Sequence, residues 1–268
     1  MGEAALGVYV YGVVSGDQPL PSQPGINGLH LRYAIPWEEL RAVVSQVPLA
    51  EFGEVPLQEK VQDLRWLAEK VQAHEAIVEQ VMRQQPILPC KFCTIYRCEG
   101  RVREMLACSS HQCRDALAFL HDKEEWGVKA YVEEEILRRH LLQTDSDLSE
   151  MAQERLGQSP GWAYLLKKTL EQRLTERTEH TLAHLSLQLA RQLRTYAVRA
   201  EEMSPSARCL CPPGTRMLLS AAYLIAKARV GSFVACVKAL DEQIAPVTVR
   251  LVLSGPWPPY HFSPRLEP

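Results

Sequence analysis

Residues 247–253, VTVRLVL, run directly into residues 254–262, SGPWPPYHF. Val247, Val249, Leu251 and Leu253 fall on one face of the first part and Thr248 and Arg250 on the other, the period of a half-buried strand. Gly255 permits a turn, and Pro256, Pro258 and Pro259 bring no N–H to a further ladder. The segment is therefore expected to leave the sheet extended and to lie across a surface, held by Trp257, Tyr260 and Phe262. A half-buried strand needs partners, which the pattern upstream supplies.

Just upstream, Met217–Ile225 reads as a strand and Arg229–Ile244 as a helix with Val230, Phe233, Val237 and Leu240 inward. Ser159-Pro160-Gly161 marks an earlier helix start, with Ser159 at the N-cap and Pro160 at the first helical position. Periodic leucines carry that helix from Trp162 to about Ala200, roughly 60 Å at the standard rise. Leu166, Leu170 and Leu174 form one apolar row, and Leu182, Leu185, Leu189, Leu193 and Tyr196 another. Between them Thr175–Thr181 is nearly all polar, a waist in the stripe. Two short helical pieces over Ile136–Leu156, the second ending at Gly157, are predicted to pack on this helix as an antiparallel coiled coil. Glu133, Glu134 and Glu135 place acid at the start of the first piece, where the helix dipole favours it. With a strand at Glu125–Val132, and a polar loop through Pro205, Pro212, Pro213 and Gly214, the order is strand, helical hairpin, strand, helix, strand. That is a split α+β, ferredoxin-like layer.

The first part of the chain has its own alternation. Leu6–Val14, Leu29–Ile35 and Leu40–Val47 read as strands, the first two separated by a loop from Ser15 to Gly28 with Pro19, Pro21 and Pro24. The period then lengthens from Leu57 to about Gln84, with Val61, Leu64, Ala68, Val71, Val78 and Met82 on one helical face and a junction near His74. Ile87–Tyr96 returns to the strand period, and Arg114–Leu120 is read as helix within a mixed stretch, Glu99–Asp122. The fold class expected is α+β in two domains. Residues 1–100 form a small antiparallel domain with one sheet face covered by the helix. Residues 101–268 form the ferredoxin-like domain, with the hairpin at about 133–200 and the Pro/aromatic strap.

At 268 residues, with 30 basic and 32 acidic side chains, the chain can build such cores and has no surplus charge to draw nucleic acid or an anionic membrane. The apolar stretch Ala4–Val14 has no basic leader, no run approaches a membrane span, and a soluble cytosolic protein is expected. Eight cysteines are then better read as thiols than as a disulfide framework.

The terminal strand running into Gly255-Pro256-Trp257-Pro258-Pro259-Tyr260 resembles the C-terminus of the gas-vesicle protein family GvpF/GvpL. Similar stretches recur through the chain: Tyr9-Val10-Tyr11-Gly12-Val13-Val14, Ala42-Val43-Val44-Ser45, His74-Glu75, Leu88-Pro89-Cys90-Lys91-Phe92, Glu125-Trp126-Gly127-Val128-Lys129 and Pro160–Leu166. One position departs: the family usually carries glycine after the phenylalanine, where this chain has Cys93. The resemblance implies structural roles for Tyr11, Gly12, Pro89, Phe92, Trp126, Gly127, Lys129, Gly255, Pro256, Trp257, Pro258, Pro259 and Tyr260. It also implies a minor structural or assembly component of gas vesicles in the cytoplasm, partnered by the small hydrophobic shell protein and other vesicle proteins. The alternative is a cytosolic chaperone for the shell protein that is not retained in the vesicle.

Cys90 and Cys93 have the spacing of half a zinc site, with Cys98, Cys108, His111 and Cys113 following. On a strand, residues three apart face opposite ways, so no metal is expected there. His180 and His184 share a helical face but lack a nearby H-E-x-x-H pattern, and His140 stands apart; solvated positions are expected. There is no Gly-rich phosphate loop and no G-x-S-x-G elbow, so no catalysis, cofactor or small-molecule substrate is expected. A nucleic-acid binder on a ferredoxin-like sheet would need aromatics on a basic face, which the charge balance opposes.

Overall fold

The structure, a computed structural model, describes residues 5–20, 23–154, 159–203, 211–244 and 249–266. Ala4, Pro21, Leu156, Gly157, Pro205, Val247 and Thr248, named above, lie outside the described residues. The chain divides into two compact units. One is residues 1–124 together with Trp257–Pro268; the other is Glu125–Pro256.

In the first unit, strands β1 (Leu6–Ser15), β2 (Arg32–Trp37) and β3 (Leu40–Pro48) form an antiparallel sheet in the order β2-β3-β1, with β3 between the other two. Two short strands, β4 (Leu88–Pro89) and β5 (Ile95–Tyr96), share the other side of β1. The second strand begins three residues later than the alternation suggested, and Leu29 and Leu31 are exposed. The third strand is followed by helices α1 (Leu49–Phe52), α2 (Glu54–Lys60) and α3 (Leu64–Met82). The helical break falls at residues 61–63, not near His74, because the Asp63 carboxylate caps a new helix by accepting from the Arg65 and Trp66 N–H groups. Leu64 and Ala68 consequently face solvent, and the buried stripe is His74, Ile77, Val78 and Val81.

Helix α4 (Glu99–Leu120) fills the whole stretch where only its last turns were expected. It buries Val102, Met105, Leu106, Cys113, Leu117 and Leu120 and packs on β1, β2 and β3. Tyr9 and Tyr11 of β1 meet α3 on the other face, so β1 is buried on both sides, where one covered face was predicted. This packing also moves the boundary from Gly100 to residue 124/125.

The second unit holds an antiparallel sheet in the order β7-β8-β6-β9, formed by β6 (Lys123–Val132), β7 (Arg199–Glu202), β8 (Arg216–Ala226) and β9 (Val249–Trp257). This is the ferredoxin-like order, completed by β7, which sequence had assigned to the end of the long helix. Between β6 and β7 stand helices α5 (Glu134–Thr144), α6 (Ser146–Glu154) and α7 (Pro160–Arg194); α8 (Val230–Ile244) precedes β9. The 35-residue α7 spans about 52 Å. Its later leucines, Leu182, Leu189 and Leu193, join the sheet core with Phe233, Val237 and Tyr223. Ser159 occupies its N-cap without a side-chain bond. The polar waist is where the elbow of the α5–α6 hairpin seats: the Asp145 carboxylate accepts from Arg177 Nε at 2.6 Å, and Arg138 donates to Thr175 Oγ1 at 3.2 Å.

Candidate functional site

The terminal segment does not simply peel away after Leu253. β9 continues through Ser254, Gly255 and Pro256 to Trp257, with a cis Gly255–Pro256 bond. Gly255 has φ +130°, and a Cβ there would sit 3.0 Å from the Glu125 carbonyl oxygen and 3.2 Å from the Trp126 ring. Ser254 Oγ donates to the Gly127 carbonyl at 3.5 Å, tying this strand to its neighbour beside Trp126. Lys129 is exposed. Trp257, expected to hold the strap, is 42 % exposed; Pro258, Pro259 and Phe262 are buried instead.

Within the first unit the strap ends in a clasp. Tyr260 Oη donates to Glu75 Oε1 at 3.0 Å and lies 3.0 Å from His74 Nε2. His74, on α3, is fully buried, and its Nδ1 lies 2.9 Å from Tyr9 Oη. The donors can be ordered. Tyr260 gives its only proton to Glu75, so His74 Nε2–H must donate to Tyr260. Tyr9 Oη accepts the Cys93 N–H at 2.8 Å, which leaves its own proton for His74 Nδ1. The imidazole is thus neutral and used at both nitrogens. Burial lowers its pKa to about 4, and burial also raises that of Glu75, against the Tyr260 hydrogen bond.

Tyr11 extends the cluster along β1. Its hydroxyl pairs with Ser45 Oγ at 2.8 Å and accepts the Ile26 N–H at 2.7 Å; its ring centroid lies 5.0 Å from that of Tyr9 and 5.9 Å from His74. Phe92 meets His74 edge-on at 5.9 Å. Gly12 makes room for β4: a Cβ would stand 2.6 Å from the Leu88 carbonyl oxygen, and Gly12 pairs with Pro89.

The Cys90–Cys93 pair corrects an expectation. Between β4 and β5 the chain turns over residues 90–94, and Cys93 takes φ +64°, a left-handed conformation suited to glycine. Cys90 and Cys93 therefore stand on a turn and not at opposite-facing positions of one strand. Burial, however, pushes the thiols of Cys90 and Cys93 up to about 12 and that of Cys113 to about 11, so all three stay protonated at neutral pH. Among the described residues no group of three or more His, Cys, Asp or Glu side chains could hold a metal ion. His180 and His184 are exposed on α7.

Of the thirteen motif positions, the structure brings Tyr11, Phe92 and Tyr260 around His74, and Gly12 and Pro89 beside them. Trp126, Gly127, Gly255 and Pro256 belong to the second unit. His74 and Glu75 were recognised only as similar stretches; the signal missed was a histidine in register with the buried stripe of α3.

A family model described as gas vesicle synthesis protein GvpL/GvpF matches residues 7–264. The chain belongs to the GvpL/GvpF family. Among curated relatives, gas vesicle protein L of Streptomyces sp. (strain CB03234) is 32% identical over 230 residues, covering 84% of this chain and 80% of the relative. Gas vesicle protein F of the same strain is 24% identical, covering 96% and 99%. The crystal structure of the gas vesicle protein GvpF from Anabaena sp. PCC7120 superposes with a TM-score of 0.69 at 20% identity, covering 96% of this chain and 98% of that one. GvpF from Microcystis aeruginosa gives 0.66 at 19% with the same coverage. The α+β architecture is thus that of solved GvpF chains, and a gas-vesicle role comes with the family.

Proposed function

We propose that this GvpL/GvpF protein is a minor structural or assembly component that binds the small hydrophobic shell protein and makes or breaks no covalent bond. The carrying observation is the start of α7, where Trp162, Tyr164 and Leu165 are 52%, 67% and 53% exposed. Trp162 and Leu165, three apart, share one face of the helix and Tyr164 projects nearly opposite, so this end exposes apolar side chains on two sides. A shell subunit with an apolar face and open strand edges offers the complementary surface before it polymerises. The buried, doubly bonded His74 and the protonated thiols support a holding role over a catalytic one.

Co-purification of tagged protein with shell subunits tests the reading. Capture is expected, with most of it lost in a W162S/Y164S/L165S variant whose circular dichroism is unchanged. No capture by the parent protein, together with intact vesicles in a deletion strain, would remove the proposal. Immunogold labelling of washed vesicles distinguishes a retained component from a chaperone that departs.

A further inference from the structure

A cleft of about 350 Å³ lies in the first unit between the turn after β4 and the end of the strap. Its polar lining includes Lys91 on one wall and Ser263 and Arg265 on the other, while Pro89, Pro264 and Leu266 supply apolar surface. Among the described residues no aspartate or glutamate lines it, in a chain whose net charge is -2. Lys91 and Arg265 are exposed, so their charges are available to an entering group.

Both walls are stitched before anything binds. Thr94 ties the first, donating to the Lys91 carbonyl from Oγ1 at 2.8 Å and from its N–H at 3.2 Å. In the second, the N–H groups of Phe262 and Ser263 both reach the Pro259 carbonyl, at 3.2 and 2.9 Å. Ser263 Oγ is buried, yet among the described residues it has no hydrogen-bond partner. A buried hydroxyl without a partner is unfavourable, and a group that accepts its proton would remove that cost.

We propose that this cleft binds a small anionic ligand, a carboxylate or phosphate group on a short apolar body, with Lys91 and Arg265 as counter-charges and Ser263 Oγ as donor. Fixed walls reduce what binding must order, and charge-assisted bonds supply the orientation. The anionic group has two possible sources, a free metabolite or the C-terminal carboxylate of a polypeptide.

Amide chemical shifts of the whole ¹⁵N-labelled chain, titrated with defined probes, test this. The probes are hexanoate, hexyl phosphate, neutral hexanamide, and an acetylated leucyl-leucine peptide with either a free or an amidated C-terminus. Saturable shifts at Lys91, Thr94 and Ser263 are expected with anionic probes alone, weakening as salt rises. Response to the free-ended peptide only would assign the source as a chain terminus; response to hexanoate or hexyl phosphate would assign a free ligand. K91Q and R265Q should each weaken binding about tenfold, the scale of one lost charge-assisted bond. S263A should weaken binding while leaving the melting temperature equal or higher. Equal binding of hexanamide, absence of saturable shifts, or K91Q and R265Q proteins that bind like the parent would overturn the proposal.

Discussion

His74 shows how one side chain can set the pH response of a fold. Its pKa is about 4 in the folded chain against 6.5 when exposed. Above pH 6.5 both states are neutral at this site and its contribution is whole. Below that, the unfolded chain takes up a proton that the folded chain refuses, so stability falls by about 1.4 kcal/mol per pH unit until protonation begins in the folded state near pH 4. Urea midpoints of the parent and a His74→Gln variant, compared across this window, should show that slope in the difference between them; parallel curves would refute it. Tyr260→Phe should cost about 1–3 kcal/mol at neutral pH, because it removes the hydroxyl that bridges His74 Nε2 and the buried side of the Glu75 carboxylate. At Cys93 the left-handed φ argues the opposite way. Cys93→Gly should raise stability by up to about 1 kcal/mol and Cys93→Val should lower it, since a β-branched side chain suits this conformation least. Thermal melts that reverse the order Gly, Cys, Val would show that lost packing outweighs backbone relief. This departure from the family's usual glycine was visible in sequence, but only the turn explains it.

At the scale of elements, legibility followed the strength of local pattern. β1, β3, β8 and α8 announce themselves because their apolar residues repeat without interruption. α4 did not: Ser109 and Ser110 sit where its stripe should continue, and Cys113 serves there as a small apolar residue. β7 carries Arg-Ala-Glu-Glu, which has no strand signature, and it exists by pairing with β8 from Arg199↔Leu224 to Glu202↔Ala221. The clasp was illegible for a related reason, since Tyr260 and His74 are 186 positions apart and nothing local joins them. β9 shows what an element needs beyond its own period. It lies at an open edge of the second sheet, and the Leu251 N–H is taken by Asp241 Oδ1 of α8 at 2.7 Å. Occupying a donor in this way blunts an edge against strand addition. Asp241→Ala should therefore increase concentration-dependent light scattering and cost about 1 kcal/mol of stability, while Asp241→Asn, which keeps an acceptor, should restore most of both. An Asp241→Ala protein scattering like the parent would mean the edge is guarded by other means.

For the molecule as a whole, charge and apolar surface point to different kinds of partner, and salt separates them. With 30 basic and 32 acidic residues the chain has little net field to concentrate a charged polymer. Binding through Trp162, Tyr164 and Leu165 would instead draw on apolar area, which salt does not screen and which kosmotropic salts strengthen. Capture of shell subunits, measured from low salt to about 0.5 M, where the Debye length falls to a few ångströms, should thus stay constant or rise. Calorimetry of the same association should give a negative heat-capacity change, the mark of apolar burial. Single-stranded nucleic acid should show no retardation at moderate salt. Were capture instead to collapse with salt, the contact would have to be rebuilt around the ion-paired faces of α7, such as Asp145–Arg177, and the apolar end of that helix would need another purpose.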